Sequence, residues 1–314
     1  MRYGIPAVAA IVMVAVVFQH GCKDKGTEPV PPKNPREYTW TVDTLIAHPD
    51  AIQTWMWDIY GTSPQNVCVV GHTDWTGVNG NGIMWRYDGT RWSIVNQGFR
   101  DISLNSITGF GPSNIYAAGS KGSDALILHF NGTSWTQTIL PGYGLFAIRG
   151  SSPSNIWAGG WGGTVFRFDG AQWIRVSADE RLNFKDFAVT NQKTYAIAYR
   201  VDEQPQDTIW YYSLSWNGQQ WDTLDVWLDL SLYPSAATFG AQSLSIIDSE
   251  LYSAGGGLFR LELGNWFKVL GNAKVAKVFG TSKNNMLAVG TSGEANHYDG
   301  SNWYQFEQFK SNEF

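Results

Sequence analysis

The sequence predicts an all-β chain, a β-propeller of four-stranded blades with six blades favoured and seven possible, and three observations carry that expectation. The first is composition: 34 Gly, 16 Trp, 14 Tyr and 16 Phe among 314 residues, the balance of aromatic strands punctuated by glycine turns. The second is an internal repeat. Trp92, Trp135, Trp173, Trp221, Trp266 and Trp303 close six successive units at a mean interval of about 42 residues, a length that suits four short strands and so one blade. The third is phase, because every unit divides into the same four segments.

The clearest copies are ITGFGPSNIYAAG…LILHFNGTSW (107–135) and AIRGSSPSNIWAGG…TVFRFDGAQW (147–173). The opening copy is DIYGTSPQNVCVVG…IMWRYDGTRW and the last is VFGTSKNNMLAVG…EANHYDGSNW, with two worn copies between them. In each, strand a ends at a glycine, a Ser-Pro-Ser-Asn type turn follows, and strand b is the NIYAAG segment. Strand c is the LILHF or TVFRF run, and strand d carries the Trp. The Asp-Gly or Asn-Gly between c and d predicts a tight hairpin of type I′, whose two central residues need positive φ. The segment 38–46 (YTWTVDTLI) reads as a further d strand with Trp40 in the Trp slot. It predicts either a five-stranded closing blade or a seventh blade.

The repeat resembles the kelch and galactose-oxidase class of propellers, with its glycine-ended b strand and its Tyr-Asp…Trp hairpin. It departs from kelch in lacking the double glycine in most copies. It is also similar to poorly characterised envelope propeller lipoproteins of Bacteroidetes relatives, a likeness that covers the whole mature domain and implies a scaffold rather than a chemistry.

The ends suggest export. Arg2 precedes fifteen apolar residues, 4–18, too few for the ~20 of a membrane span and suited to the core of a signal peptide. Gln19-His20-Gly21-Cys22 resembles a bacterial lipobox, which implies a signal peptide over 1–21 and lipidation of Cys22. The Lys23-Asp24 that follows is similar to a surface-export signal. Residues 22–37 hold prolines and charges that cannot build a core and predict an extended tether. The propeller is then 38–314. The expected location is the cell envelope of a Gram-negative-type bacterium, at the outer membrane or cell surface, with membrane contact through the lipid alone. A formal net charge of −5 and no basic run argue against a nucleic-acid partner. Cys68 is the only other cysteine, so no intramolecular disulfide is available once Cys22 is acylated.

The repeat also sorts the residues that look chemical. Cys68 stands where other units have Tyr116, Trp157, Tyr195, Tyr252 and Leu287, which marks it as a buried strand residue. His129 and His297 share a slot with Arg86, Arg167 and Arg260 and predict a cation that covers the blade edge or bonds to neighbouring backbone, with no metal-ligand spacing. No phosphate loop, HExxH, GxSxG or EF-hand loop occurs. No catalytic set, metal or cofactor is therefore expected.

What varies between units is loop length. The b–c span is long in the first unit (Gly71 to Arg86) and the fourth (Ala198 to Ser215), and the connection near 227–243 is also expanded. In a propeller, b–c and d–a connections share one face of the disc, and insertions on one face of a repeat array mark a binding face. The candidate binding residues are His72, Asp74, Trp75, Tyr143, Trp161, Arg200, Asp202 and Glu203, accompanied by Asn79, Asn81 and the run Asp179-Glu180-Arg181. The expected function is non-catalytic recognition or scaffolding, with a glycan or a protein as partner. Two alternatives stand beside it. One is a polysaccharide-active enzyme, glycosidase- or lyase-like, using channel carboxylates such as Asp74 and Glu203. The other is a purely structural envelope module.

Overall fold

The structure is a computed structural model that describes residues 34–40, 43, 45, 51, 53–73, 82–202, 208–229, 237–271 and 274–310. Two compact units result, Met1–Thr39 and Trp40–Phe314. The described part of the first is a single 3-10 turn, Pro35–Glu37, whose N-terminal Asn34 carbonyl Oδ1 accepts the Arg36 N–H at 3.0 Å. The expected signal peptide over 1–21 and Cys22 lie outside the described residues. No helix among the described residues is long and apolar enough to cross a membrane.

The second unit is a six-bladed propeller. Blade 1 holds β1 (Thr54–Ser63), β2 (Asn66–Thr73), β3 (Gly82–Tyr87) and β4 (Trp92–Ile94). Blade 2 holds β5 (Ile102–Gly109), β6 (Ile115–Lys121), β7 (Asp124–Phe130) and β8 (Trp135–Leu140). Blade 3 holds β9 (Leu145–Ser152), β10 (Asn155–Gly160), β11 (Val165–Phe168) and β12 (Trp173–Arg175). Blade 4 holds β13 (Asn183–Val189), β14 (Thr194–Asp202), β15 (Thr208–Trp216) and β16 (Trp221–Asp229). Blade 5 holds β17 (Ser243–Ile247), β18 (Glu250–Ala254), β19 (Leu258–Glu262) and β20 (Asn265–Leu270), and blade 6 holds β21 (Val275–Ser282), β22 (Asn285–Gly290), β23 (Ala295–Tyr298) and β24 (Trp303–Gln305). Each blade is an antiparallel sheet in sequence order, so all b–c and d–a connections leave one face and all a–b and c–d turns the other.

The repeated Trp works as the outer staple of each hairpin. It pairs in register with the last aromatic of strand c, as in Tyr87↔Trp92, Phe130↔Trp135, Phe168↔Trp173 and Tyr298↔Trp303, with ring centroids 5.0–5.2 Å apart. Trp135 and Trp173 are half-buried against the cores between blades 1 and 2 and between blades 2 and 3.

The hairpin turn differs from the expected type I′ form. Four residues, not two, separate the paired aromatics, and only the Gly has positive φ, at 97° for Gly89 and 95° for Gly132. The Asp or Asn takes the place of the second positive-φ residue by capping the turn with its side chain. Asp88 Oδ1 accepts the N–H groups of Thr90 and Arg91 at 2.9 and 3.0 Å; the Thr90 hydroxyl and these amides hold the carboxyl down at about 2. A true two-residue loop occurs in blade 5, where Leu263 and Gly264 both have positive φ.

The Arg/His slot of strand c bonds an asparagine side chain at the start of strand b, where bonding to backbone is one expectation, because the Asn Oδ1 reaches across the a–b turn. Arg86 Nε donates to Asn66 Oδ1 at 3.1 Å, and the ring Nε2 atoms of His129 and His297 lie 2.9 and 2.8 Å from Asn114 Oδ1 and Asn285 Oδ1. Cys68 is buried, and burial pushes its thiol up.

Five buried clusters each join two consecutive blades, from blades 1 and 2 through to blades 5 and 6. The closing seam is built otherwise. Its buried cluster contains Val69, Ile83 and Trp85 of blade 1, covered by Leu45 and Trp92. Trp40 lies edge-on to Phe306 and Phe309 at the end of blade 6, at 5.5 and 5.4 Å, and Asp43 Oδ2 accepts the Trp92 Nε1–H at 3.0 Å. The described residues of 38–46 form no strand. Most of the expected extra d strand beyond Trp40 lies outside the described residues; of those described, Trp40 packs on the end of blade 6 and Leu45 on blade 1.

Candidate functional site

The centre of the ring holds a polar network that the sequence reading passed over. The innermost strands β1, β5, β13 and β21 carry a register shift at one level, between Met56 and Asp58, Leu104 and Ser106, Phe184 and Asp186, and Val275 and Lys277. Such bulges re-aim the side chains beside them. Asp58 Oδ2 accepts from the Ser106 hydroxyl (2.8 Å), the Ile107 N–H (3.0 Å) and Arg149 (2.7 Å), while Oδ1 accepts from Ile59 N–H (3.1 Å) and Lys277 Nζ (2.6 Å). Arg149 Nε pairs with Asp186 Oδ1 at 3.0 Å, and Asp186 Oδ2 accepts the Leu244 N–H at 3.0 Å. Between blades 5 and 6, the Ser243 hydroxyl donates to the Ala276 carbonyl at 2.8 Å. All six innermost strands are therefore joined by polar contacts, with two carboxylates balanced by two cations.

The electrostatics follow from that geometry. Both carboxylates are 3 % exposed in their side chains. Burial pushes the Asp58 carboxyl up, but Arg149 and then Lys277, with the Lys277 and Ile107 hydrogen bonds, more than reverse it and hold it below the usual carboxylate range. Burial likewise pushes the Arg149 guanidinium down, and Asp186 and Asp58 outweigh that and raise it. A carboxylate held ionised, with both oxygens occupied, cannot donate a proton near neutrality as a glycosidic general acid must. The signal was present in the sequence: Asp58 opens the first unit as DIYG, and Arg149 interrupts AIRG where the other blades have Tyr60, Thr108, Ala188, Ser245 and Phe279.

On the b–c/d–a face, Tyr143 and Trp161 stand together. They flank a cleft of about 430 Å³ lined also by Ser120, Gly122, Ser123, Gly144, Gly162 and Asn183, across the tops of blades 2, 3 and 4. Tyr143 and Trp161 are 57 % and 47 % exposed. The b–c turn of blade 3 sets them. Gly162 has φ 58°, and a Cβ there would come within 2.7 Å of the Tyr143 ring. The Trp161 N–H donates to the Gly144 carbonyl, the Gly162 N–H to Asn183 Oδ1 at 3.0 Å, and the Tyr143 N–H to the Thr164 hydroxyl at 3.0 Å. One side of the Trp161 ring leans on Phe146 at 4.6 Å, and Tyr199 of blade 4 lies 6.2 Å away. Lys185 reaches the same Tyr199 ring, with Nζ 5.9 Å from its centroid; burial pushes this ammonium down.

The remaining sequence candidates divide. Asp74, Trp75, Asn79, Asn81 and Glu203 lie outside the described residues. His72, the penultimate residue of β2, lies on the same face with its ring tilted against Trp55 at a centroid distance of 5.1 Å. The long b–c loop expected in blade 4 is corrected by the structure. β14 and β15 pair as far as Asp202↔Thr208, because Tyr199, Val201, Ile209 and Tyr211 continue a strand-forming run. Arg200 and Asp202 are thus strand residues, paired with each other at 2.9 Å. They line or flank a neighbouring cleft with Asp179, Arg181 and Tyr212, where Arg181 pairs with Asp179 at 2.7 Å. They do not enter the Tyr143–Trp161 cleft.

No family model matches this chain, and no curated protein matches it. Among solved structures it is similar to one titled "YCF48 bound to D1 peptide", at 15 % identity and a TM-score of 0.55, over 86 % of this chain and 88 % of the other. It is also similar to YCF48 from Cyanidioschyzon merolae, at 12 % identity and a TM-score of 0.53, over 83 % of this chain and 87 % of the other. At such identities the likeness is one of fold, and with the six antiparallel sheets it establishes the chain as a six-bladed β-propeller.

Proposed function

We propose that this chain is a non-catalytic recognition propeller that engages a protein partner through its b–c/d–a face. The carrying observation is the pair of exposed rings, Tyr143 and Trp161, above a glycine-floored cleft. Large, stiff, amphipathic rings of this kind anchor protein interfaces. Support comes from the ring centre, where the convergent carboxylates are neutralised and committed to joining blades. Further support comes from a propeller of similar fold that was solved with a peptide bound.

The test places a photo-crosslinking residue at Tyr143 in cells, with a second at Thr90 on the opposite face as control. A polypeptide adduct specific to position 143, reduced by Trp161→Ala, is expected. Truncation of Trp161 should weaken the partner by about 2 kcal/mol and leave the melting temperature unchanged. Equal adducts from both positions would remove the reading. The same proposal sets the protein on the cell envelope through an acylated Cys22. Cys22→Ser should move the protein from the membrane pellet to the supernatant, and the mature N-terminus should carry an acyl mass.

A further inference from the structure

Of six cations in the channel and in blades 3 and 4, Arg149, Arg175, Arg181, Lys185, Arg200 and Lys277, all but one have a direct polar partner among the described residues. Arg181 and Arg200 are paired with Asp179 and Asp202. Arg175 donates to the Pro141 carbonyl at 2.8 Å. In the channel below, Arg149 and Lys277 are held by Asp58 and Asp186. Lys185 alone of this set has no hydrogen bond or directly bonded carboxylate among the described residues. Its sequence neighbour Asp186 attracts it electrostatically, but the two Asp186 oxygens make their direct contacts with Arg149 and the Leu244 N–H.

Lys185 is partly buried, two residues from Asn183 in the cleft wall, on the bulge of β13. It and Trp161 meet the same Tyr199 ring from 5.9 and 6.2 Å. An ammonium in such a place lacks full hydration and a directly bonded carboxylate among the described residues, and an incoming anion supplies that direct partner. The cleft floor of Gly122, Gly144 and Gly162 leaves room for a main chain, and the two rings leave an apolar slot.

We propose that the cleft binds an extended polypeptide that presents a carboxylate to Lys185 and an adjacent apolar side chain to Tyr143 and Trp161. This rests on the protein-binding reading above and adds the chemistry of the partner. The polypeptide is favoured over an acidic glycan because the slot pairs one charge with an apolar contact over a glycine floor.

The experiment selects a phage-displayed random heptapeptide library on the full-length chain and measures the winning synthetic peptides by fluorescence anisotropy. Selected peptides should share an Asp, a Glu or the free C-terminal carboxylate next to an aromatic or aliphatic residue. Lys185→Gln should weaken them about tenfold or more, the size expected for removing one member of a desolvated charge pair, and Lys185→Arg should restore most of it. Lys185→Met, which keeps the stem and drops the charge, gives the same readout should the Gln variant fold poorly. Trp161-dependent peptides with no acidic preference and no response to Lys185→Gln would overturn the carboxylate assignment and leave the protein-binding reading standing. Absence of any Trp161-dependent peptide would overturn both. Trp161-dependent binding of polygalacturonate with no peptide selected would overturn the polypeptide as occupant.

Discussion

Asp58 shows how much one residue of the ring centre is asked to do. It touches Ser106 and Ile107 of blade 2, Arg149 of blade 3 and Lys277 of blade 6, so its five hydrogen bonds connect segments far apart in sequence. Burying such a charge is tolerable only because each oxygen is fully bonded and cations stand opposite. Arg149→Met should therefore leave two carboxylates under-compensated and cost about 3–5 kcal/mol in urea unfolding, the usual penalty for deleting one member of a buried ion network. The pH dependence has a definite sign. Asp58 is held below its unfolded value, so its contribution is complete above about pH 4, the range of a free Asp, and is lost as pH falls through the folded value. Stability should drop below about pH 4, and Asp58→Asn should be less stable at neutrality with a flatter acid limb. An unchanged acid limb in that variant would show that other carboxylates govern acid unfolding.

At the scale of elements, the turns and the closing seam carry the argument. The c–d hairpin is defined by an aromatic, a capping Asp or Asn, a glycine with positive φ and a Trp, and the same set recurs in blades 1, 2, 3 and 6. This part of the fold was legible in the sequence because every feature is local. The exact turn was not, since a side-chain cap can replace one positive-φ residue and lengthen the loop by two. Blade 4 shows the converse: a span read as loop is strand, because unit-to-unit length alone does not distinguish an insertion from an extended hairpin. Beside the seam, Trp40 packs on the end of blade 6 and Leu45 on the blade 1 cluster. Trp40→Ala should cost about 1–2 kcal/mol, given a ring that is only partly covered but makes two edge-on aromatic contacts. Faster hydrogen exchange should appear first in β1 to β4 and β21 to β24. Loss of protection spread evenly over all six blades would instead argue that no one seam limits opening.

For the whole molecule, the repeat determined the architecture and the contacts across the ring determined how its buried charges are paired. Six in-phase units dictate six blades, since each hairpin buries one apolar face that only a neighbouring blade can cover, and the sequence also indicated that one face carries the variation. Trp161 was recognisable because it sits among glycines without the alternation that buries a strand residue, and Tyr143 because its connection lies on the same face. Their pairing was not, because it needs the 2–3 connection to lie over the blade 3 turn, with Gly162 beneath the Tyr143 ring. The ionic belt was invisible for a stronger reason: Asp58 and Lys277 are more than two hundred positions apart, yet their side chains meet at 2.6 Å. Local pattern specifies strands, turns and blade number, because those depend on residues within one unit. Which charges neutralise one another, and which lysine has no directly bonded carboxylate among the described residues, depends on distances that exist only once the ring has closed.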